Sequence, residues 1–254
     1  MSTKASISGD YLAQQKLLHE HKVWPSSPWS IFMTGDLRPR SIGEAIRLDL
    51  EENGQIVRSY QDDIRHWHKF PVFSRSGYWH ALIMCHGVMR LDWFEDIQVE
   101  KLSEIIDVNV TGTAAMAQRF VQGTLTLPWR KRIIIIGSMA YKSVLNGSAI
   151  YCASKAAVAM LTRCLAWELA PKGFDVFCIH PSNVEETPMS GETMAGLMRY
   201  RGMTGGQAES YWKDSVLRST QLTKDHIVDT VNYLLSPKSE FLSGSQIELA
   251  GGQR

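Results

Sequence analysis

The chain has 254 residues, 44% hydrophobic and 21% charged, with a formal net charge of +1. That composition excludes a disordered or fibrous chain, and the near-neutral balance leaves no basic footprint for a nucleic acid and no polybasic membrane patch. The four cysteines form no C-x-x-C pair, no apolar run approaches the roughly 18 residues of a membrane span, and no secretory leader is visible, so the expectation is a cytoplasmic protein with reduced, mostly buried thiols.

Residues 1–29 are polar and end in Trp24-Pro25-Ser26-Ser27-Pro28-Trp29; they read as an N-terminal extension with a short helix over about 10–21. Ser30-Ile31-Phe32-Met33 is an apolar strand closed by Thr34-Gly35. A helix follows over Ile42–Glu52 and stops at Asn53-Gly54. Gln55–Tyr60 reads as a second strand and Ala81–Met84 as a third, closed by Cys85-His86-Gly87. Helices are expected over Val99–Asn109 and Gly112–Gly123. Arg132 to Gly137 holds four consecutive isoleucines, the pattern of a parallel strand buried on both faces. Tyr151–Ala170 is a long helix with Ala153, Ala157, Met160, Leu161, Cys164 and Leu165 near one face. Asp175–His180 is a strand stopped by Pro181. Residues 190–215 are Gly- and Met-rich and weakly periodic, and a last helix over 225–235 leads to a final strand over Ser245–Leu249. Strands alternating with helices imply an α/β fold: a Rossmann-like, doubly wound parallel sheet with helices on both faces, in one domain over 30–254.

Ligands of such sheets bind at the carboxyl ends of the strands. After the isoleucine strand comes Ser138; Tyr151 and Lys155 follow, four residues apart on one helix face. A free phenol titrates near 10, and a nearby ammonium favours the phenolate. Such a Tyr can give a proton to a carbonyl oxygen or take one from an alcohol, while Ser138 holds the same oxygen. The missing hydride must come from a cofactor. His19-x-His21 and His66-x-His68 lack further ligands at metal spacing and read as surface histidines, so no metal is expected. His180 reads as buried and hydrogen-bonded, and His86 as packed near the cofactor groove.

The stretch from Ile133 to Met189 resembles the catalytic half of the short-chain dehydrogenase/reductase family. The resemblance rests on Gly137-Ser138, Tyr151-Cys152-Ala153-Ser154-Lys155, Pro181-Ser182-Asn183-Val184 and Thr187-Pro188-Met189. Asp107-Val108-Asn109-Val110 upstream and Leu242–Ile247 with Gly251-Gly252 downstream extend it to about residues 30–252. It implies a catalytic tetrad of Asn109, Ser138, Tyr151 and Lys155, in which Asn109 holds a water linking Lys155 to solvent and Lys155 also bonds the nicotinamide ribose. It further implies cofactor contacts from Thr34, Gly35, Arg40, Ser41, Ile42, Gly43, Gly87, Asn109, Tyr151, Lys155, Pro181, Val184 and Thr187, a substrate loop over about 188–215, and a homodimer or homotetramer built through the helices near 113–123 and 151–170. The substrate would be a small carbonyl or alcohol, with NADP or NAD as cofactor. Arg40 and Arg58 favour NADP; Asp62 or Asp63 would favour NAD by bonding a ribose 2′-hydroxyl.

The cofactor half departs from the pattern. The turn Thr34–Gly43 is two residues longer than the family's, and Ser41 replaces a glycine, its N–H and hydroxyl remaining as donors to a phosphate. Met84-Cys85-His86-Gly87 keeps only the last residue of the family's Asn-Asn-Ala-Gly. Only 49 positions separate Gly35 from Met84, so a strand or helix on that edge is lost or shrunken. These departures leave open a non-catalytic dinucleotide-sensing protein, and the acid/base Tyr leaves open a dehydratase or epimerase.

Overall fold

In the computed structural model, residues 28–60, 62–69, 73, 78–214, 216–218 and 220–252 are described. The expected short helix over 10–21 and the pair His19 and His21 lie outside them. The strands are β1 (Ser30–Gly35), β2 (Ile56–Tyr60), β3 (Trp79–Cys85), β4 (Lys131–Ile136), β5 (Phe174–Pro181) and β6 (Gln246–Leu249). They form one parallel sheet in the order β2-β1-β3-β4-β5-β6. The order reverses between β1 and β3, and that switch point opens the crevice in which doubly wound sheets bind ligands.

Alternation along each strand feeds two cores. Ile133 and Ile135 join Leu82, Met116, Phe120, Val158, Phe174 and Val176 on one face. Ile134 and Ile136 join Ile31, Met33, Ile46, Ile83, Phe177, Val231 and Leu234 on the other. Helix α1 (Ile42–Glu52) covers the second core together with the late helix Lys224–Leu235. Helices α3 (Thr113–Thr124) and α4 (Ala149–Leu169) cover the first, and α2 (Val99–Ile106) packs on α4.

Several expectations are corrected. The helices expected to break between Asn109 and Gly112 run on as one, widened into a π-turn over Asp107–Gly112; such turns recur at functional sites. Residues 188–214 fold into α5 (Pro188–Arg201) and α6 (Gly205–Asp214), ahead of α7 (Lys224–Leu235). The α5 start follows local rules, since Thr187 caps it in a reciprocal bond with Ser190 and Pro188 opens it.

The face of α4 is reversed: Ala153, Ala157, Met160 and Cys164 are exposed, whereas Tyr151, Ser154, Lys155, Val158, Ala159, Thr162, Ala166 and Leu169 are buried. Cys164 therefore departs from the expected burial of the thiols, although all four cysteines are free. The run Ala149–Lys172 is long and apolar enough to cross a membrane by length and composition alone, contrary to the sequence reading. Its buried positions pack on β5 and the first core. The shrunken edge is as expected. Dinucleotide-binding sheets place two strands outside β1. Here β2 alone lies there, followed among the described residues by a short 3-10 helix over Ile64–Lys69.

Candidate active site

A cleft of about 480 Å³ opens at the carboxyl ends of β1, β3, β4 and β5. Ser41, Ile42, Gly43, Asp36 and Arg38 line one end, and Ser138, Tyr151 and Lys155 the middle. Pro181, Val184, Thr187 and residues of α5 and α6 close the other end.

Ser138 follows β4 in extended backbone, and its Oγ accepts the N–H of Ala140 at 3.2 Å as the cap of a short 3-10 turn. That leaves its O–H proton to donate, and the hydroxyl favours the ionised form of the neighbouring Tyr151 phenol. Tyr151 is 4% exposed and Lys155 5%. The Lys155 Nζ lies 5.7 Å from the Tyr151 ring centroid and donates to the Ile136 carbonyl at 3.4 Å. The ammonium thus has one long protein bond and faces the cleft.

The ammonium does not lower the phenol as the spacing suggests. Burial pushes Tyr151 up to about 12, opposed by the Ser138 hydroxyl, because the site is desolvated and Nζ sits beside the ring. The same burial brings Lys155 down to about 8. At neutral pH the phenol therefore carries its proton.

Asn109 is 1% exposed and does not line the cleft. Its Oδ1 accepts Val88 N–H at 2.9 Å, and its Nδ2 donates to the Val88 carbonyl at 3.0 Å and to Ser154 Oγ at 2.9 Å. The side chain pins the loop after β3 to α4. Gly87 sits inside this arrangement, where a Cβ would lie 3.3 Å from Lys155 Nζ and 3.4 Å from Asn109 Oδ1. The missing side chain keeps the cleft open above the ammonium.

The dinucleotide turn is rebuilt. Ser41 caps α1, its Oγ taking Glu44 N–H at 3.0 Å and donating to the Asp36 carbonyl at 2.8 Å. Its own N–H donates to Arg38 O at 3.0 Å. Both donors that the sequence reading assigned to a phosphate are occupied within the turn. The first-turn N–H groups of Ile42 and Gly43 have no intrahelical acceptor and line the cleft, so an anionic group still finds donors there.

Gly35, at φ 114°, lets the chain turn against His86, where a Cβ would lie 2.3 Å from the His86 nitrogen. Thr34 is wholly buried and does not line the cleft. Thr113 Oγ donates to Asn109 O at 2.8 Å, so it accepts from His86 Nε2–H at 2.9 Å; His86 Nδ1 in turn accepts from Thr34 Oγ at 2.8 Å. His86 thus bridges the turn and the π-turn, fixed in one neutral tautomer. Burial holds it down to about 3, with the Lys155 charge adding to the effect.

Arg40 is exposed, at φ 70°, and lies off the cleft. Of the basic residues in this turn Arg38 instead borders the cleft, paired with Asp36 at 2.9 Å. Its guanidinium holds the Asp36 carboxyl below the usual range. Asp63 is engaged by Arg65, and Arg58 lies over the Trp79 ring. Sequence reasoning missed Arg38 and the cleft-lining Met89, Leu91 and Leu145; Arg38 is in the right loop, but only the fold shows which residue of it borders the cleft. Among the described residues no three His, Cys, Asp or Glu side chains group as metal ligands.

The family model described as Enoyl-(Acyl carrier protein) reductase matches residues 43–254. The chain is 25% identical over 172 residues to sorbitol-6-phosphate 2-dehydrogenase of Escherichia coli (strain K12), covering 68% of this chain and 66% of that protein. It is 27% identical over 173 residues to L-xylulose reductase of Caenorhabditis elegans, covering 68% and 65%. The match thus spans just under two thirds of each of these relatives. A protein named inactive 2-(S)-hydroxypropyl-CoM dehydrogenase 2, of Xanthobacter autotrophicus (strain ATCC BAA-1158 / Py2), is 30% identical over 176 residues, covering 68% of this chain and 72% of its own. Among solved structures, NAD+-bound xylitol dehydrogenase superposes with a TM-score of 0.78 at 21% identity, over 88% of this chain and 98% of its own. ElxO with NADP bound gives 0.74 at 17% identity, over 89% and 98%. At these identities the structural likeness speaks for the fold.

Proposed function

Because this chain belongs to the short-chain dehydrogenase/reductase family, we propose that it is an NAD(P)-dependent oxidoreductase that moves hydride between the dinucleotide and a carbonyl or secondary alcohol. The observation carrying this reading is the convergence of Ser138, Tyr151 and the buried Lys155 in the middle of one cleft that is continuous with the start of α1. The nicotinamide, when bound, supplies or takes the hydride. The residues present suit it: open first-turn N–H groups at one end, the space left by Gly87, and an ammonium with a single long protein bond.

The chain's own side chains manage oxygen and proton. Ser138 donates its hydroxyl proton toward the substrate oxygen. Tyr151, protonated at neutral pH, releases its proton to that oxygen in reduction and takes one back in oxidation. Lys155 holds positive charge beside the phenol and would hold the ribose hydroxyls of a bound dinucleotide. Asn109 fixes the Gly87–Val88 backbone and α4, so that these groups keep their spacing. Arg38 on the cleft wall supports NADP over NAD, and Arg40 drops out of that argument.

In this reading residues 30–254 form one domain with 1–29 as an extension, and the protein is cytoplasmic. It is a homodimer or homotetramer joined through the exposed apolar face of α4, where Met160 and Trp167 stand open.

Titration with NADPH and NADH, following nicotinamide fluorescence, tests the proposal. Saturable binding of one, followed by its oxidation in the presence of a carbonyl panel, is expected. Binding without turnover would support a dinucleotide-sensing protein, and no binding of either would overturn both readings.

A further inference from the structure

Ser138 must present its hydroxyl at a fixed point, yet it lies on a loop. Its Oγ is aimed by Ala140 N–H and its carbonyl accepts Tyr141 N–H at 3.0 Å. The remaining backbone group, the Ser138 N–H, points at His180 Nδ1, 3.2 Å away. His180 ends β5 and is fully buried. The Nδ1 also lies 2.9 Å from Ser138 O, so the side chain meets both polar backbone atoms of the residue.

The ring itself is held on three sides. Its Nε2 is 2.7 Å from Gln246 Oε1. Gln246 Nε2 donates to Gly244 O at 3.3 Å, which turns the amide oxygen toward the imidazole. With the proton on Nε2 for Gln246 Oε1, the lone pair on Nδ1 receives Ser138 N–H, and the 2.9 Å approach of Nδ1 to Ser138 O is then a contact and not a hydrogen bond. Tyr141 stacks on the ring with centroids 4.0 Å apart, and its hydroxyl is anchored on Glu248. Gly137 permits the approach, since a Cβ there would stand 2.6 Å from Nδ1.

We propose that His180 is a positioning residue for Ser138: through Nδ1 it fixes the backbone from which the Ser138 hydroxyl reaches Tyr151 and the substrate oxygen. This rests on the oxidoreductase reading for its catalytic consequence, but the clamp can be measured without turnover. A displacement of about 1 Å at an orienting group is enough to cost on the order of 100-fold in rate.

The test compares His180→Asn with His180→Gln. Asn places an amide oxygen where Nδ1 stood; Gln carries its amide to the Nε2 position, away from Ser138. Amide hydrogen exchange at Ser138 reads the bond directly, with folding checked by thermal melting. Slow exchange is expected in the wild type and His180→Asn, and exchange at least about 10-fold faster in His180→Gln. With NADPH and diacetyl as a small, unhindered carbonyl probe, kcat should fall about 10-fold or more in His180→Gln, with NADPH affinity within about twofold. His180→Asn should keep kcat within about threefold. Equal behaviour of the Asn and Gln variants in exchange overturns the clamp. A wild type without turnover refutes the oxidoreductase reading, while the exchange comparison still decides the clamp.

Discussion

Replacing His86 with Gln should make the protein less sensitive to acid, although it removes a buried hydrogen-bonded side chain. His86 titrates near 6.5 in an unfolded chain and near 3 in the fold, where burial and the Lys155 charge exclude the second proton. Between those values the unfolded chain binds the proton and the folded chain does not, so stability falls as pH falls below 6.5. At about pH 5 the gap is roughly 1.5 pH units at about 1.36 kcal/mol each, or about 2 kcal/mol. With a urea dependence of about 3 kcal/mol per molar, that is a midpoint shift of about 0.7 M. The assay is urea unfolding at about pH 7.5 and about pH 5 for both proteins, each referred to its own value at the higher pH. His80, held down to about 4 by burial, contributes equally to both proteins and cancels. The wild-type midpoint should fall by about 0.7 M more than that of His86→Gln. Equal falls would refute the buried, neutral His86 and the Thr34–His86–Thr113 chain that fixes its tautomer.

Tyr151→Phe removes the proton donor and leaves the cleft walls intact; turnover should fall by a factor on the order of 1,000 while dinucleotide affinity, followed by fluorescence, stays within a few-fold. Lys155→Ala should weaken both dinucleotide binding and rate, since its ammonium borders the cleft and lies beside the phenol; no change in either would remove it from the site. Asp175 is 1% exposed and paired with Arg130 and Arg132. Asp175→Asn leaves those cations without their carboxylate and should cost about 3–5 kcal/mol, read as a lowered urea midpoint. Phe120, fully buried against Phe73 and Phe174, should cost about 3–5 kcal/mol as Phe120→Ala, with the catalytic pH profile unmoved.

The strands and the chemistry were legible in the sequence because both depend on local patterns. The isoleucines of β4 alternate between two covered faces whatever surrounds them, and Tyr151 and Lys155 share a helix face by spacing alone. The helices α5 and α6 were not legible as periodic elements, since each buries a single residue, Leu197 and Ala208, and leaves no stripe to read. The face of α4 was inverted for a related reason. Ala153, Ala157, Met160 and Cys164 of its stripe are exposed and Leu161 and Leu165 half-buried, while the buried face carries, beside Val158, Ala159, Ala166 and Leu169, the polar Ser154, Lys155 and Thr162 that hydropathy assigns outward. Ser154 is buried against Asn109 and Thr162 donates to the Val158 carbonyl, so hydrogen bonds offset the desolvation that a sequence pattern assumes is unmet.

The site divides the same way. Residue types and spacing singled out Ser138, Tyr151 and Lys155, which the fold brings to one cleft. Only the tertiary structure decided that burial outweighs the ammonium at Tyr151, that Ser41 turns its donors inward, that Arg38 and not Arg40 faces the cleft, and that His86 and His180 stand behind the reacting groups. Each of these depends on solvent exclusion and on distances between residues far apart in the chain, which no local pattern contains.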